Sequence, residues 1–173
     1  MTYYSDWYAA TQPATAMDAI QPKVSGAVNN RFYKRAYAVV STAFLSATSI
    51  QCRMMTLKKT DRLRALFLST SGASTTCAAD VGLYQAGTAH DGAAIDPDEF
   101  EAASALTTAK NRVESLLAAG PTAITRRGAP LWEIAGYASA DVAPDEIDIV
   151  LTCTTDHTGT NEPVVLEVEG YFS

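Results

Sequence analysis

The run Val164-Val165-Leu166-Glu167-Val168-Glu169-Gly170-Tyr171-Phe172 decides how this chain is read. In an extended strand, Leu166, Val168 and Gly170 point one way while Glu167, Glu169 and Tyr171 point the other. A helical period would scatter the same residues around a circumference. The run is therefore a strand with one dry face and one wet face. Two further runs close the chain: Ile147-Asp148-Ile149-Val150-Leu151-Thr152-Cys153, rich in β-branched residues, and Pro130-Leu131-Trp132-Glu133-Ile134. Both read as strands.

Upstream the same pattern recurs. Arg62-Leu63-Arg64-Ala65-Leu66-Phe67-Leu68 opens with strict alternation, and the runs Ala36 to Phe44 and Gln51 to Leu57 are β-prone and free of Gly and Pro. A loop from Ser69 to Thr76 precedes Ala79-Asp80-Val81-Gly82-Leu83-Tyr84, and Asp91-Gly92 marks a tight turn. One helix start is signalled: Asp96 as cap, Pro97 at the first helical position, Glu99 three residues after the cap. Phe100, Ala103 and Leu106 follow at helical spacing, which predicts a short helix plugging one end or flank of a sheet. Lys110 to Ala119 fits either a helix stopped by Gly120 or a strand. Short strands at this spacing with one or two short helices predict an all-β antiparallel sandwich of jelly-roll type. A parallel α/β sheet would need a helix after nearly every strand.

Residues 1–30 read differently. Tyr3, Tyr4, Trp7 and Tyr8 crowd the start, Pro13 and Pro22 follow, and no period is sustained. This predicts an extended N-terminal arm (1–30) before a β-sandwich domain (31–173). Each large ring can bury about 150–250 Å². The four aromatics anchor the arm either on a neighbouring subunit or partner, or back on their own domain.

Composition excludes several classes. Of the 173 residues 47% are hydrophobic and 18% charged, the latter below the roughly 25% of an average soluble domain. Thirteen Lys and Arg against nineteen Asp and Glu give a net charge of −6, which argues against a main surface that grips nucleic acid. No segment approaches the roughly 18 consecutive apolar residues of a membrane span. Met1-Thr2-Tyr3-Tyr4-Ser5-Asp6 lacks the basic start and apolar run of a signal peptide. Cys52, Cys77 and Cys153 are odd in number and widely spaced, so buried free thiols in an intracellular protein are the simplest reading, with a Cys52–Cys153 disulfide as the alternative. His90 and His157 each sit beside an aspartate in turn-like sequence, where an exposed loop histidine is the ordinary outcome. Neither metal-ligand spacing nor a nucleotide or nucleophile motif is present, and Asp156 with His157 lacks a nucleophile and an orienting group. The expectation is a protein that is not an enzyme and holds no metal or cofactor.

From Leu63 to the C-terminus the order of motifs resembles the small β-sandwich proteins encoded among the head genes of tailed bacteriophages. The matching residues are Ala79-Asp80-Val81-Gly82-Leu83-Tyr84, Asp91-Gly92-Ala93, Asp96-Pro97-Asp98-Glu99-Phe100, Pro130-Leu131-Trp132-Glu133 and Val165 to Phe172. The resemblance implies a capsid decoration or cement protein on the outer surface of the virion, made in the host cytoplasm. It also implies a homotrimer that bridges subunits of the major capsid protein. The long aromatic arm departs from the plainer members.

Charge along the chain bears on the same point. Residues 31–64 carry +7, from Arg31, Lys34, Arg35, Arg53, Lys58, Lys59, Arg62 and Arg64 against Asp61, while residues 65–173 carry −12. Either the bases gather into a positive foot that docks on an acidic protein surface, or the topology intermixes them with acids. The expected partner-binding residues are Tyr3, Tyr4, Trp7 and Tyr8 of the arm with Arg31, Lys34 and Arg35 of the basic segment. A different class of function is a receptor- or glycan-binding module of a phage tail or fibre. There Trp132 or Tyr137 would stack on a sugar, although Trp132 between Leu131 and Ile134 reads first as a core residue.

Overall fold

The computed structural model describes residues 32–115 and 127–172. They form eight strands: β1 (Phe32–Ser41), β2 (Gln51–Lys58), β3 (Arg62–Thr70), β4 (Ser74–Gln85), β5 (Ala94–Ala105), β6 (Lys110–Glu114), β7 (Glu146–Gly159) and β8 (Pro163–Phe172). One four-stranded sheet has the order β1-β8-β3-β6 and the other β2-β7-β4-β5, with all neighbours antiparallel. This is the strand order of a jelly roll, so the all-β sandwich expected from the sequence is what the chain forms. The predicted arm, with Tyr3, Tyr4, Trp7, Tyr8 and Arg31, lies outside the described residues, as does the end of the ambiguous stretch from Leu116.

The pleat of β8 behaves as its sequence dictates. Val164, Leu166, Val168 and Gly170 are buried, while Val165, Glu167, Glu169 and Tyr171 lie on the outer face. Opposite them, Ile147, Ile149, Leu151 and Cys153 of β7 and Cys77, Ala79, Val81 and Leu83 of β4 complete a core between the sheets. On β3 the inward set is Leu63, then Leu66 and Leu68, because a bulge between Leu63 and Ala65 shifts the phase by one residue and leaves Ala65 opposite Glu169 on the outer face. Each such aliphatic side chain contributes about 1.5–3 kcal/mol when fully buried.

Two sequence expectations fail. Ala94–Ala105 is a strand, not a helix. Phe100 and Leu106 are buried, but Ala103 of the expected helical stripe is exposed, with φ at 46°. Hairpin pairing with β4 overrides the local cap signal. The turn chemistry of that signal survives as a bulge: two steps along β4, from Val81 to Leu83, face five along β5, from Asp96 to Glu101. The Asp96 carboxylate there accepts the N–H of Asp98 at 3.4 Å. The bulge carries the Pro97 backbone over Gly82, where a Cβ would lie 2.1 Å from the Pro97 carbonyl carbon. The second failure is Pro130 to Ile134. Pro130 makes only an isolated bridge to Arg62, and Leu131–Ile134 forms a one-turn helix, α1. Leu131 and Ile134, three apart, bury on the same side, and the N–H groups of Leu131 and Trp132 bond the carbonyls of Asp61 and Lys59 at 2.8 and 3.0 Å. The helical plug expected at 96 is thus supplied by α1, seated on the β2–β3 turn.

At the opposite end a carboxylate joins three links that cross between the sheets. Glu162, 3% exposed in the β7–β8 turn, accepts hydrogen bonds from the Ala73 and Ser74 N–H groups at 3.0 and 3.1 Å and from the Ser74 hydroxyl at 2.8 Å. The Ser71 hydroxyl donates to it as well. Its own N–H reaches the Thr42 hydroxyl at 3.0 Å, in the short 3-10 turn Thr42–Phe44 after β1. Burial opposes ionisation of Glu162, but the hydrogen bonds from Ser71, Ala73, Ser74 and Thr70 outweigh it and hold the pKa at about 2, against an ordinary 4.5. A carboxyl whose pKa is depressed on folding adds stability that is complete above its unfolded value. That stability is lost as pH falls through the window from about 4.5 to about 2.

Two outcomes follow. Denaturant unfolding followed against pH should show stability falling below about 4.5 in the parent, with a shallower fall in Glu162→Gln, which starts from a lower plateau. Gly82→Ala should cost about 2 kcal/mol or more by overpacking against Pro97, read as a lower denaturation midpoint.

Candidate contact surface

The topology decides where the basic segment goes. Phe32 pairs with Phe172 and Arg62 with Tyr171, so β1 and β3 begin at the end where β8 finishes. The β2–β3 turn lies at that end too. Lys34, Arg35, Lys58, Lys59, Arg62 and Arg64 therefore gather together, as the positive-foot reading required. Acids gather with them. Lys58 pairs in register with Glu146, Lys59 Nζ lies 2.9 Å from the Asp145 carboxylate, and α1 brings Glu133 to the same turn. The end is mixed in charge, because the sequence-distant start of β7 and end of β8 are spatial neighbours of the basic strands. Of the two alternatives, the structure shows the second: the bases gather but acids intermix with them, so the end is bipolar rather than an uncompensated positive foot.

Lys34 and Arg35 are consecutive on a strand and so leave it on opposite faces. Lys34 is half-buried at register with Gly170, and Arg35 stands on the outer face of the β1-β8-β3-β6 sheet. Arg35 Nε is 2.8 Å from Glu167 and its Nη2 2.7 Å from Glu169. Arg112, from β6, reaches the same two carboxylates at 2.8 and 2.9 Å and lies over the Phe67 ring at 4.2 Å. The two glutamates of the deciding run are thus clamped between arginines from the two edges of the sheet. Exposed ion pairs contribute little each, typically below about 1 kcal/mol; their effect here is to order the centre of an open face. Beyond them on β1, Tyr37 and Val39 stand 47% exposed each.

The outer face of the other sheet holds a feature that the sequence reading missed. Asp148, in the middle of an aliphatic run, is 0% exposed and points away from the core, since Ile147 and Ile149 face it. Its carboxylate accepts the Thr56 hydroxyl at 2.6 Å and lies 3.1 Å from His90 Nδ1 and 3.4 Å from Arg53 Nη1. Arg53 also donates to the carbonyl oxygens of Gln85 and Gly92 at 3.3 and 3.0 Å and to Gln51 Oε1 at 3.2 Å. Its guanidinium lies over the Tyr84 ring at 4.8 Å. These bonds fasten the β4–β5 hairpin loop onto β2 and β7. The one clue in the sequence was an aspartate inside Ile147-Asp148-Ile149. A buried acid there needs a cation, and among β2, β7 and β4 the only Arg or Lys besides Lys58 at the end of β2 is Arg53.

The arrangement does not make a catalytic triad. Thr56 and Asp148 both meet His90 at the same nitrogen, Nδ1, whereas a relay needs the hydroxyl and the carboxylate on opposite ring nitrogens. His90 is half-buried and bound to Asp148, so its expected reading as an exposed loop residue beside Asp91 is corrected. Asp156 and His157 are consecutive on β7 and diverge; His157 Nε2 meets Asn161 Oδ1 at 2.9 Å. Among the described residues no cluster of three or more His, Cys, Asp or Glu could hold a metal ion, and no helix is long and apolar enough to cross a membrane. All three cysteines are free and buried. Burial, then the neighbouring Cys153 and Glu162, push the Cys77 thiol up to about 11, which keeps it protonated and unreactive at neutral pH. Trp132 and Tyr137 are both half-buried and form no open stacking platform.

Comparison with known proteins adds one solved structure. No family model matches the sequence, and no curated protein matches it. A chain of the cyanophage Pam1 capsid asymmetric unit superposes with a TM-score of 0.48 at 12% identity, over 93% of this chain and 99% of that one.

Removing one partner of the buried pair leaves the other charge stranded. Asp148→Asn should cost about 3–5 kcal/mol. The double change Arg53→Met with Asp148→Asn should recover part of that loss in a double-mutant cycle followed by urea unfolding.

Proposed function

We propose that this chain is a non-catalytic structural protein of a tailed-bacteriophage particle. In this reading it sits on the outer surface of the shell and cements it by bridging major capsid protein subunits. The observation that carries the reading is the use to which the polar residues are put. The jelly-roll interior is filled with aliphatic side chains, and Asp148, Arg53, Glu162 and His90 are spent on tying loops to strands. What is left to act on other molecules is the outside: an open sheet face with Tyr37 and Val39, a bipolar end, and the chain leading into β1. Jelly rolls recur in viral shells and in lectins, which is support by analogy of fold. The order of motifs from Leu63 onward, similar to phage head sandwich proteins, favours the shell.

The bipolar end suits a partner whose surface carries both signs, and such a contact weakens as salt screens it. Purified protein added to particles that lack it should bind at regular sites visible by imaging and raise the temperature at which the shells open. A chain without residues 1–30 should show lower occupancy. Full occupancy without the arm removes Tyr3, Tyr4, Trp7 and Tyr8 from the contact, and absence of binding to any shell overturns the proposal.

A further inference from the structure

Four strands form the edges of the two sheets among the described residues: β1 and β6 in one, β2 and β5 in the other. Exposed edges invite pairing with another chain, and proteins ordinarily blunt them with bulges, prolines, short length or charge. Three of the four are blunted. β6 has five residues, a register shift against β3, and Arg112 at a φ of 49°. β5 carries Pro97, three register shifts and Ala103 at a φ of 46°. β2 is interrupted by a bulge between Arg53 and Met55 and ends in Lys58.

β1 is different. Its ten residues pair with β8 in unbroken register, from Phe32 opposite Phe172 to Ser41 opposite Pro163. It has no proline, glycine or positive φ. Its two charges lie near its start, Lys34 half-buried opposite Gly170 and Arg35 met by Glu167 and Glu169, and Ala36-Tyr37-Ala38-Val39-Val40 carries none. Tyr37 and Val39, on the outer side of this strand, are the half-exposed apolar residues already described.

We infer that β1 is a pairing edge whose occupant is the β1 of a second copy of this chain, antiparallel, with Tyr37 opposite its own counterpart. Two-fold antiparallel pairing requires a residue that faces itself, because directly opposed side chains must lie on the same side of the sheet. Placing Tyr37 there sets ring against ring and Arg35 against Val39 of the other copy. It pairs nine residues, from Tyr33 to Ser41, and continues two four-stranded sheets into one. The charges argue for this direction. Antiparallel pairing about Tyr37 separates the two copies of Arg35 by four residues, about 13 Å at strand spacing. Parallel pairing in register would set Arg35 against Arg35 and Lys34 against Lys34, a destabilising like-charge match. An edge contact of this size is smaller than a standard stable interface, so the dimer is expected to be weak, with a Kd of about micromolar order.

The inference is independent of the role on a phage shell and is tested on the full chain in solution. Sedimentation velocity from about 1 to 100 µM, a range that brackets such a Kd, should show conversion of monomer to dimer. The double variant Tyr37→Lys with Val39→Lys should stay monomeric with an unchanged thermal midpoint. Register is read by oxidative crosslinking. Tyr37→Cys places the two sulfurs on directly opposed residues and should give a covalent dimer, while the Val39→Cys pair, about 13 Å apart along the strands, is beyond the reach of a disulfide and should not. A monomer throughout the range overturns the inference. So does equal crosslinking of the two variants, or a trimer that Tyr37→Cys fails to crosslink. Dimerisation that appears only after residues 1–31 are removed overturns it as well, by showing that the chain's own arm covers β1. None of these results touches binding to particles, which the occupancy measurement decides.

Discussion

Everything in this fold depends on β8 lying between β1 and β3. Those two strands are neighbours in sequence order only by way of β2, in the opposite sheet, and they have no direct bond to one another. β8 supplies the ladder for both, along ten residues on one side and most of its length on the other. Its alternation then dictates the rest. Valine and leucine turned inward meet the aliphatic face of β7 and β4, and glutamates turned outward collect Arg35 and Arg112. A slip of one residue would exchange these faces and put two carboxylates into the core, so the register is held from both sides.

Strand identity was legible wherever one face is dry, because a period of two survives any tertiary context. It was illegible where local chemistry and pairing disagree. Asp96-Pro97-Asp98-Glu99 carries the signals of a helix start, and its turn-forming tendency is real, but the segment spends it on a bulge over Gly82 while Phe100 packs as a strand residue. Leu131 and Ile134 fail in the opposite sense: four residues are too few to tell a strand from one helical turn by pattern alone. The buried Arg53–Asp148 pair was illegible for a different reason. Its members are 95 positions apart, and only the pairing of β2 with β7 brings them together.

The charge distribution carries the same lesson about distance. Along the chain the basic and acidic residues are segregated; in space, antiparallel order sets the acids of β8 and the start of β7 among the bases of β1, β2 and β3. Segment sums describe a protein's surface only when the segments stay apart in the fold, and in a jelly roll they do not.

The central place of β8 has a consequence for how the molecule assembles. Arg35 and Glu169 are 134 positions apart, and the β1–β8 ladder closes a loop of nearly that length throughout. Until β8 arrives, β1 has no partner strand in its sheet and β3 has only the five-residue β6, while β4 and β5 can zip as a local hairpin from the start. Folding should therefore be slow and strongly ordered, with one sheet waiting on the other. Its vulnerable species is a chain with half a sandwich, exposing the strand surfaces most prone to join the wrong neighbour.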